Sequence, residues 1–136
     1  MILYIDSSAI LRRLLSQAGA LEEDEEYSIL VTSALSEVEC LRSVDRLRLR
    51  ERMEDGRATA LREGVFRLLE GIERVEITPA LLGRASQPMP TALGTLDAIH
   101  LATAQQLGAD VHHLVTYDDR MADAAKALGI RTASPA

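Results

Sequence analysis

The chain has 136 residues, which is enough for one domain with a hydrophobic core and too few for two comfortable ones. Apolar residues make up 47% of it and charged residues 26%, a composition typical of a globular protein rather than a disordered one. The formal net charge of −6 argues against non-specific attraction to nucleic acid or to an anionic membrane, unless bound cations offset the acids locally.

The first predicted strand ends in an acid. Residues 2–5, with the sequence ILYI, form a short apolar run that is typical of a strand buried on both faces of a parallel sheet. Asp6 follows, and a helical pattern begins within two residues. We therefore expect Asp6 at the carboxyl edge of a strand, where open α/β sheets bind their ligands. The simpler interpretation is that Asp6 or Ser7 only caps the helix.

The next elements alternate between strands and helices. The pattern predicts a strand over 28–31, a helix to about residue 53 that Thr32 or Ser33 caps, a helix over 58–70 after a break at Gly56, and a strand over 75–77. Apolar residues of the long helix are expected broadly on one side: Ala34, Leu35, Val38, Leu41, Val44 and Leu49. Glu37 and Glu39 lie among them, and helical spacing does not choose which of the two acids faces a cleft.

The helix from Thr95 to Gly108 is apolar on nearly all its faces, so we expect it to be buried, with Thr95 as its cap. Asp97 is the only formally charged side chain between Arg84 and Asp110. A buried ionised carboxylate costs several kcal/mol unless a partner compensates it, and this helix carries no Lys or Arg. The sequence therefore predicts a metal, or an arginine from elsewhere, beside Asp97.

The last third of the chain repeats the arrangement of strand, acid and helix. A strand over residues 113–116 leads to Asp118, a helix over 120–128 ends at Gly129, and a last edge strand covers 130–132. Alternating strands and helices predict an α/β fold with a mostly parallel sheet and helices on both faces. His112 and His113 are expected on opposite sides of their strand, which would keep them from sharing one ion.

Asp6, an acid of the long helix, Asp97 and Asp118 all plausibly reach one edge of this sheet. Two carboxylates about 4 Å apart repel each other by roughly 4 kcal/mol at an effective dielectric constant of 20, so their convergence requires a cation. Oxygen ligands without cysteine or paired histidine suit Mg²⁺ or Mn²⁺ rather than zinc, and such an ion could activate water for in-line attack on a phosphodiester.

Four segments in this order resemble the PIN-domain family, and in particular the small VapC-type toxins of prokaryotic toxin–antitoxin pairs: YIDSSA, TSALSEVECLR, LDAIHLATA and LVTYDDRMADAAKALGI. The resemblance implies a single PIN-like domain over residues 1–136, folded as a three-layer α/β/α sandwich. It further implies a metal-dependent endoribonuclease that cleaves RNA, is held inactive by a cognate VapB-like antitoxin and forms a homodimer.

The resemblance also assigns the site residues. It places the four family acids, which would bind Mg²⁺ or Mn²⁺, at Asp6, Glu39, Asp97 and Asp118. It thereby prefers Glu39 over Glu37. The small hydroxyl residues Ser7 and Thr116 match family positions that could hydrogen-bond an acid or a metal-bound water.

Other interpretations remain open at this stage. An aspartyl-phosphate phosphatase would use Asp6 as its nucleophile, although Ser8 stands where a second acid is usual. A catalytically idle PIN-like binding domain would keep the same acids without turnover. His100 is expected to be a packed core histidine rather than a ligand. With no disulfide framework, no signal peptide, and Pro88 and Pro90 interrupting the weakly charged stretch over residues 85–109, we expect a cytoplasmic protein without a membrane span.

Overall fold

A computed structural model describes residues 1–15 and 29–134. The strands are β1 (Ile2–Ile5), β2 (Ile29–Ser33), β3 (Glu73–Val75), β4 (Val111–Val115) and β5 (Thr132–Ala133). They form one sheet in the order β3-β2-β1-β4-β5, and every pairing in it is parallel. The predicted parallel α/β sheet is confirmed, and the apolar run at the start of the chain is its central strand.

Helices cover both faces of this sheet. They are α1 (Ser7–Leu14), α2 (Leu35–Arg50), α3 (Asp55–Glu70), α4 (Pro79–Ala85), α5 (Thr95–Leu107) and α6 (Asp119–Ala127), and a short 3-10 turn covers Gly108–Asp110. Leu3 and Ile5 of β1 pack in a core with residues of α1, α2 and α3, whereas Tyr4 packs in a second core with residues of α5 and α6. This alternation along β1 separates two cores, which gives the expected three-layer sandwich.

The connections from β1 place a crevice at the carboxyl edge of the sheet. Within the sheet, β2 and β3 lie in one direction from β1, and β4 and β5 lie in the other direction. Strand order therefore changes direction between β1 and β4, which is where parallel α/β sheets bind ligands. Asp6 follows β1 at this point and Thr116 follows β4.

Several predicted boundaries differ from the observed ones. Ser28 lies outside the described residues, and β2 continues through Ser33, so Thr32 is a strand residue rather than a cap. The hydroxyl of Thr32 lies 2.6 Å from the carbonyl oxygen of Ile5 and thus serves the sheet. Gly56 does not break a helix, because it lies in the first turn of α3. In addition, β3 ends at residue 75, where the sequence pattern placed the start of a strand.

The sequence predicted the end of α5 correctly but not its cap. Thr95 is not its cap: Gly94 holds that position, and Thr95 is the first helical residue. The predicted stop at Gly108 is confirmed, because this glycine has φ of +64°, a backbone conformation that a side chain disfavours. Seven consecutive residues of the helix, Ala98 to Ala104, are buried, as its all-round apolar pattern predicts.

The predicted inward face of α2 is wrong in part. Val38 and Leu49 are 51% and 62% exposed, and the residues that the helix buries are Ser36, Cys40 and Val44. These three are spaced four residues apart and so form one stripe along the helix, and Cys40 and Val44 of this stripe pack in the core that α2 shares with α1 and α3. Cys40 is a free cysteine.

A β-bulge also overturns the expected separation of His112 and His113. The register between β1 and β4 shifts after Ile2, which pairs with Val111, whereas Leu3 pairs with His113. The extra residue disrupts the alternation of side chains, and the two imidazole ring centroids lie 4.7 Å apart. Within residues 1–15 and 29–134, no helix is long and apolar enough to cross a membrane.

Candidate active site

Asp6 is buried at the crevice and both its carboxylate oxygens accept hydrogen bonds. It is 4% exposed, and its Oδ1 accepts from the Ser8 hydroxyl at 2.5 Å and from the backbone N–H of Ala9 at 3.1 Å. Its Oδ2 accepts from the Thr116 hydroxyl. Burial raises the pKa of the Asp6 carboxyl above its ordinary value, and the bonds from Ser8 and Thr116 oppose that rise. Asp6 therefore both caps α1 and presents a fixed acid at the switch point.

Ser8 and Thr116 tie the ends of β1 and β4 together around this acid. The Ser8 hydroxyl oxygen accepts from the backbone N–H of Tyr117 at 3.0 Å, and the Thr116 hydroxyl oxygen accepts from the backbone N–H of Asp118 at 3.1 Å. Thr116 thus lies where the resemblance placed a supporting hydroxyl. The hydroxyl that reaches Asp6 from α1 is that of Ser8, and the role expected of Ser7 stays a prediction.

The geometry separates the two acids of α2 that helical spacing could not. Glu37 forms an ion pair with Arg74 at 3.1 Å, with its side chain 41% exposed. Glu39 points inward, with its side chain 16% exposed, and its Oε1 lies 2.5 Å from Nε2 of His100. Of the two acids, Glu39 is therefore the one directed toward the buried part of the site.

His100 is a core histidine, as expected, and its buried ring has polar partners. It is 1% exposed, and its Nδ1 lies 2.7 Å from the hydroxyl of Tyr4 in the central strand. Burial also raises the pKa of the Tyr4 phenol well above its ordinary value. Both ring nitrogens of His100 thus have protein partners.

Asp97 and Asp118 stand at the starts of two helices beside the same edge. Asp118 caps α6, its Oδ1 accepting from the backbone N–H groups of Arg120 at 2.9 Å and Met121 at 3.1 Å. Asp97 lies in the first turn of α5 and is half-buried. Burial is the largest cause that raises the pKa of the Asp97 carboxyl, and the charge of Asp118 is the next.

The other two acids act on Asp97 as well. The charges of Asp6 and Glu39 raise the pKa of Asp97 further, while His100 lowers it. The four acids therefore share one electrostatic neighbourhood, although they come from four separate parts of the chain. None of Asp6, Asp97 and Asp118 forms an ion pair with a lysine or arginine in the part of the chain that the structure describes.

The donor set suits a hard divalent cation, but it is not assembled into a coordination shell. Across residues 1–15 and 29–134, no three His, Cys, Asp or Glu side chains are grouped so that they could hold a metal ion. Asp6, Asp118 and Glu39 each direct an oxygen at a protein group. Burial raises the pKa of the nearby Cys40 thiol to about 12, which leaves carboxylate oxygens as the available ligands.

Sequence reasoning missed Ser8 and Tyr4 as parts of this site. Ser8 follows Asp6 by two residues, a spacing at which a serine hydroxyl at a helix start can reach the capping acid, so a local signal existed. Tyr4 gave none, because its contact with His100 spans 96 positions of the chain.

The fold and the site together define a class: a three-layer α/β/α protein with carboxylates gathered at the switch point of a parallel sheet. A model of the PIN domain family matches residues 3–127, and the chain belongs to this family. It is 37% identical to Ribonuclease VapC46 of Mycobacterium tuberculosis over 98% of this chain and 97% of the relative. It is 31% identical to Ribonuclease VapC47 of the same species over 98% of this chain and 96% of the relative.

A solved structure has the same fold. A chain in the crystal structure of VapBC2 from Rickettsia felis, bound to a DNA fragment from their promoter, superposes with a TM-score of 0.70. The match covers 98% of each chain at 10% sequence identity, so it speaks to the fold alone. The family and the three-layer sandwich expected from the four sequence segments are both confirmed.

Proposed function

We propose that this chain is a VapC-type endoribonuclease toxin, one domain over residues 1–136, that hydrolyses RNA phosphodiester bonds with Mg²⁺ or Mn²⁺. The observation that carries the proposal is the set of acids at the switch point, three of which lack a cationic side chain among the described residues. Charge repulsion within such a set is costly, and a divalent cation relieves it. The relatives named ribonucleases span nearly the whole chain, which supports the same activity here.

The proposed metal ligands are Asp6, Glu39, Asp97 and Asp118. When bound, the divalent cation supplies positive charge at the scissile phosphate and activates water for in-line attack. Thr116 holds Asp6 through Oδ2 and also receives the backbone N–H of Asp118, so one hydroxyl fixes two of the acids relative to each other. Asp97 lies at the start of α5, and the charges of Asp118, Asp6 and Glu39 disfavour its ionised form in the absence of a cation.

The proposed partners follow from the relatives. We expect a VapB-like antitoxin to hold the enzyme inactive, since the solved structure with this fold is named as a VapB–VapC pair. RNA is the expected substrate because the relatives are named ribonucleases. A homodimer and a cytoplasmic location are further parts of the proposal.

The test is cleavage of a mixed RNA pool by the purified chain without antitoxin. We expect cleavage with Mg²⁺, none with excess EDTA, and products with a 5′-phosphate and a 3′-hydroxyl, since a water nucleophile leaves the phosphate on the downstream fragment. Asp97→Asn should lower the rate at least about 100-fold. Asp119→Asn, which changes an exposed acid in the first turn of α6, is the matched control and should leave the rate unchanged. A 2′,3′-cyclic end, or full activity in Asp97→Asn, would contradict the proposal.

A second candidate is a catalytically idle PIN-like binding domain. The observation in its favour is that Asp6 and Asp118 direct oxygens at backbone N–H groups, and that no three acids among the described residues are grouped so that they could hold a metal ion. The same experiment separates the two candidates, because an idle domain would retain RNA in a binding assay and yet leave the pool uncut with Mg²⁺.

A further inference from the structure

A buried chain of hydrogen bonds links Tyr4 of the central strand, through His100, to Glu39 of the proposed site. The Tyr4 hydroxyl lies 2.7 Å from Nδ1 of His100, and Nε2 lies 2.5 Å from Oε1 of Glu39. Tyr4 and His100 are almost completely buried, and their rings meet edge to face at an interplanar angle of 74°. Three elements, β1, α5 and α2, each contribute one member.

The chemistry of the members fixes the direction of this chain. A carboxylate has no proton to donate, so Nε2 of His100 donates to Glu39. In the neutral tautomer that donates through Nε2, Nδ1 accepts from the phenolic hydroxyl of Tyr4, and each proton points from the central strand toward the acid. With both ring nitrogens engaged, the imidazole has one orientation, and the carboxylate at its end is held through Oε1.

The position of Glu39 makes this restraint relevant to the other acids. Its charge acts on both Asp97 and Cys40, so the held carboxylate lies in the shared neighbourhood of the site. His100 takes Oε1 and leaves Oε2 as the oxygen available to a cation. An unrestrained glutamate would have to lose the freedom of its side chain on binding, which weakens the binding of any ligand.

We infer that His100, aimed by Tyr4, is a positioning residue that holds Glu39 ready to bind the divalent cation. The inference rests on the proposed metal-dependent function and adds two residues that touch neither cation nor RNA. It gives α5 a second role in the site, since the helix supplies Asp97 and, one turn later, the residue that restrains Glu39.

The test measures Mn²⁺ binding directly, by electron paramagnetic resonance of free Mn²⁺ titrated with protein in the absence of RNA. Tyr4→Phe removes only the hydroxyl that aims the ring, and His100→Leu removes the restraint itself. We expect the dissociation constant for Mn²⁺ to rise about 3-fold to 10-fold in Tyr4→Phe and about 10-fold to 100-fold in His100→Leu, the range for groups that support metal ligands. His100→Gln can still present an N–H to Glu39 and should recover most of the affinity.

Two controls separate positioning from stability. Leu101→Ala changes the next, equally buried residue of α5 and should lower the melting temperature while leaving Mn²⁺ affinity unchanged. In a Glu39→Gln background, adding His100→Leu or Tyr4→Phe should weaken Mn²⁺ binding no further, because His100 acts through Glu39. Unchanged Mn²⁺ affinity in Tyr4→Phe and His100→Leu, with wild-type binding intact, would overturn the inference alone. A wild-type chain that binds no Mn²⁺ would overturn both this inference and the proposed metal dependence.

Discussion

Replacing Thr116 by valine tests how Asp6 is held. Valine matches the shape of threonine but removes the hydroxyl that donates to Oδ2 of Asp6. A hydrogen bond to a charged group contributes about 1.5–3 kcal/mol, so we expect the metal-free variant to lose roughly 2 kcal/mol of unfolding free energy near neutral pH. With an unfolding entropy of about 2.1 cal/mol/K per residue, this loss lowers the melting temperature by about 7 °C.

The stability loss in Thr116→Val should also depend on pH. Burial raises the pKa of Asp6 above 3.8, so the folded protein keeps this proton to higher pH than the unfolded chain does. Above the folded pKa the Thr116 hydroxyl serves a carboxylate, whereas below it both groups are neutral and the bond contributes only about 1 kcal/mol. The stability difference between wild type and variant should therefore shrink by about half as pH falls through the folded pKa of Asp6.

Thermal unfolding in EDTA across this pH range measures the effect. Thr132→Val, on the neighbouring strand β5, is the matched control and should show no pH-dependent loss. If Thr116→Val is as stable as wild type, or if its loss is the same at all pH values, then the Thr116 hydroxyl does not hold an ionised Asp6 and the reasoning fails.

Three further predictions follow from the same electrostatics. Asp97→Asn should raise the melting temperature in EDTA by roughly 3 °C, because it removes a half-buried charge from beside three other acids. A melting temperature below that of wild type would argue against charge repulsion at Asp97. Since the pKa values of Asp6 and Asp97 are raised, metal-free stability should fall as pH rises above about 4, and excess Mg²⁺ should reverse the fall, which calorimetry can follow. Glu39→Gln should lower the rate of RNA cleavage at least about 100-fold, whereas Glu37→Gln breaks an exposed pair with Arg74 and should change it less than about 2-fold.

The fold was predictable where the signal is local. The apolar run before Asp6 is a strand buried on both faces, and such a strand has to lie inside a sheet, so its central position follows from its composition. Gly108 ended α5 as expected because a positive φ is available to glycine at little cost. Helix starts were less predictable. The Thr32 hydroxyl bonds to the carbonyl oxygen of Ile5 instead of capping α2, and Thr95 is the first residue of α5 rather than its cap.

For the proposed site, the sequence indicated a set of acids but not their contacts. An acid after each of two strands, and a lone acid in an apolar helix, are visible in the sequence and indicate one edge of the sheet. The choice between Glu37 and Glu39 was not visible, because it depends on Arg74 and His100, which lie 37 and 61 positions away along the chain. Packing between elements decides which acid turns inward, and helical periodicity carries no information about it.

We propose that acids far apart along this chain form one divalent-cation site. Its most direct test is a crystal of the wild-type chain soaked in Mn²⁺, with anomalous scattering measured to locate the ion. The account predicts an anomalous peak coordinated by carboxylate oxygens of Asp6, Asp97 and Asp118, with Glu39 bound directly or through water. A crystal without a peak there, under conditions in which the chain cleaves RNA, would contradict it.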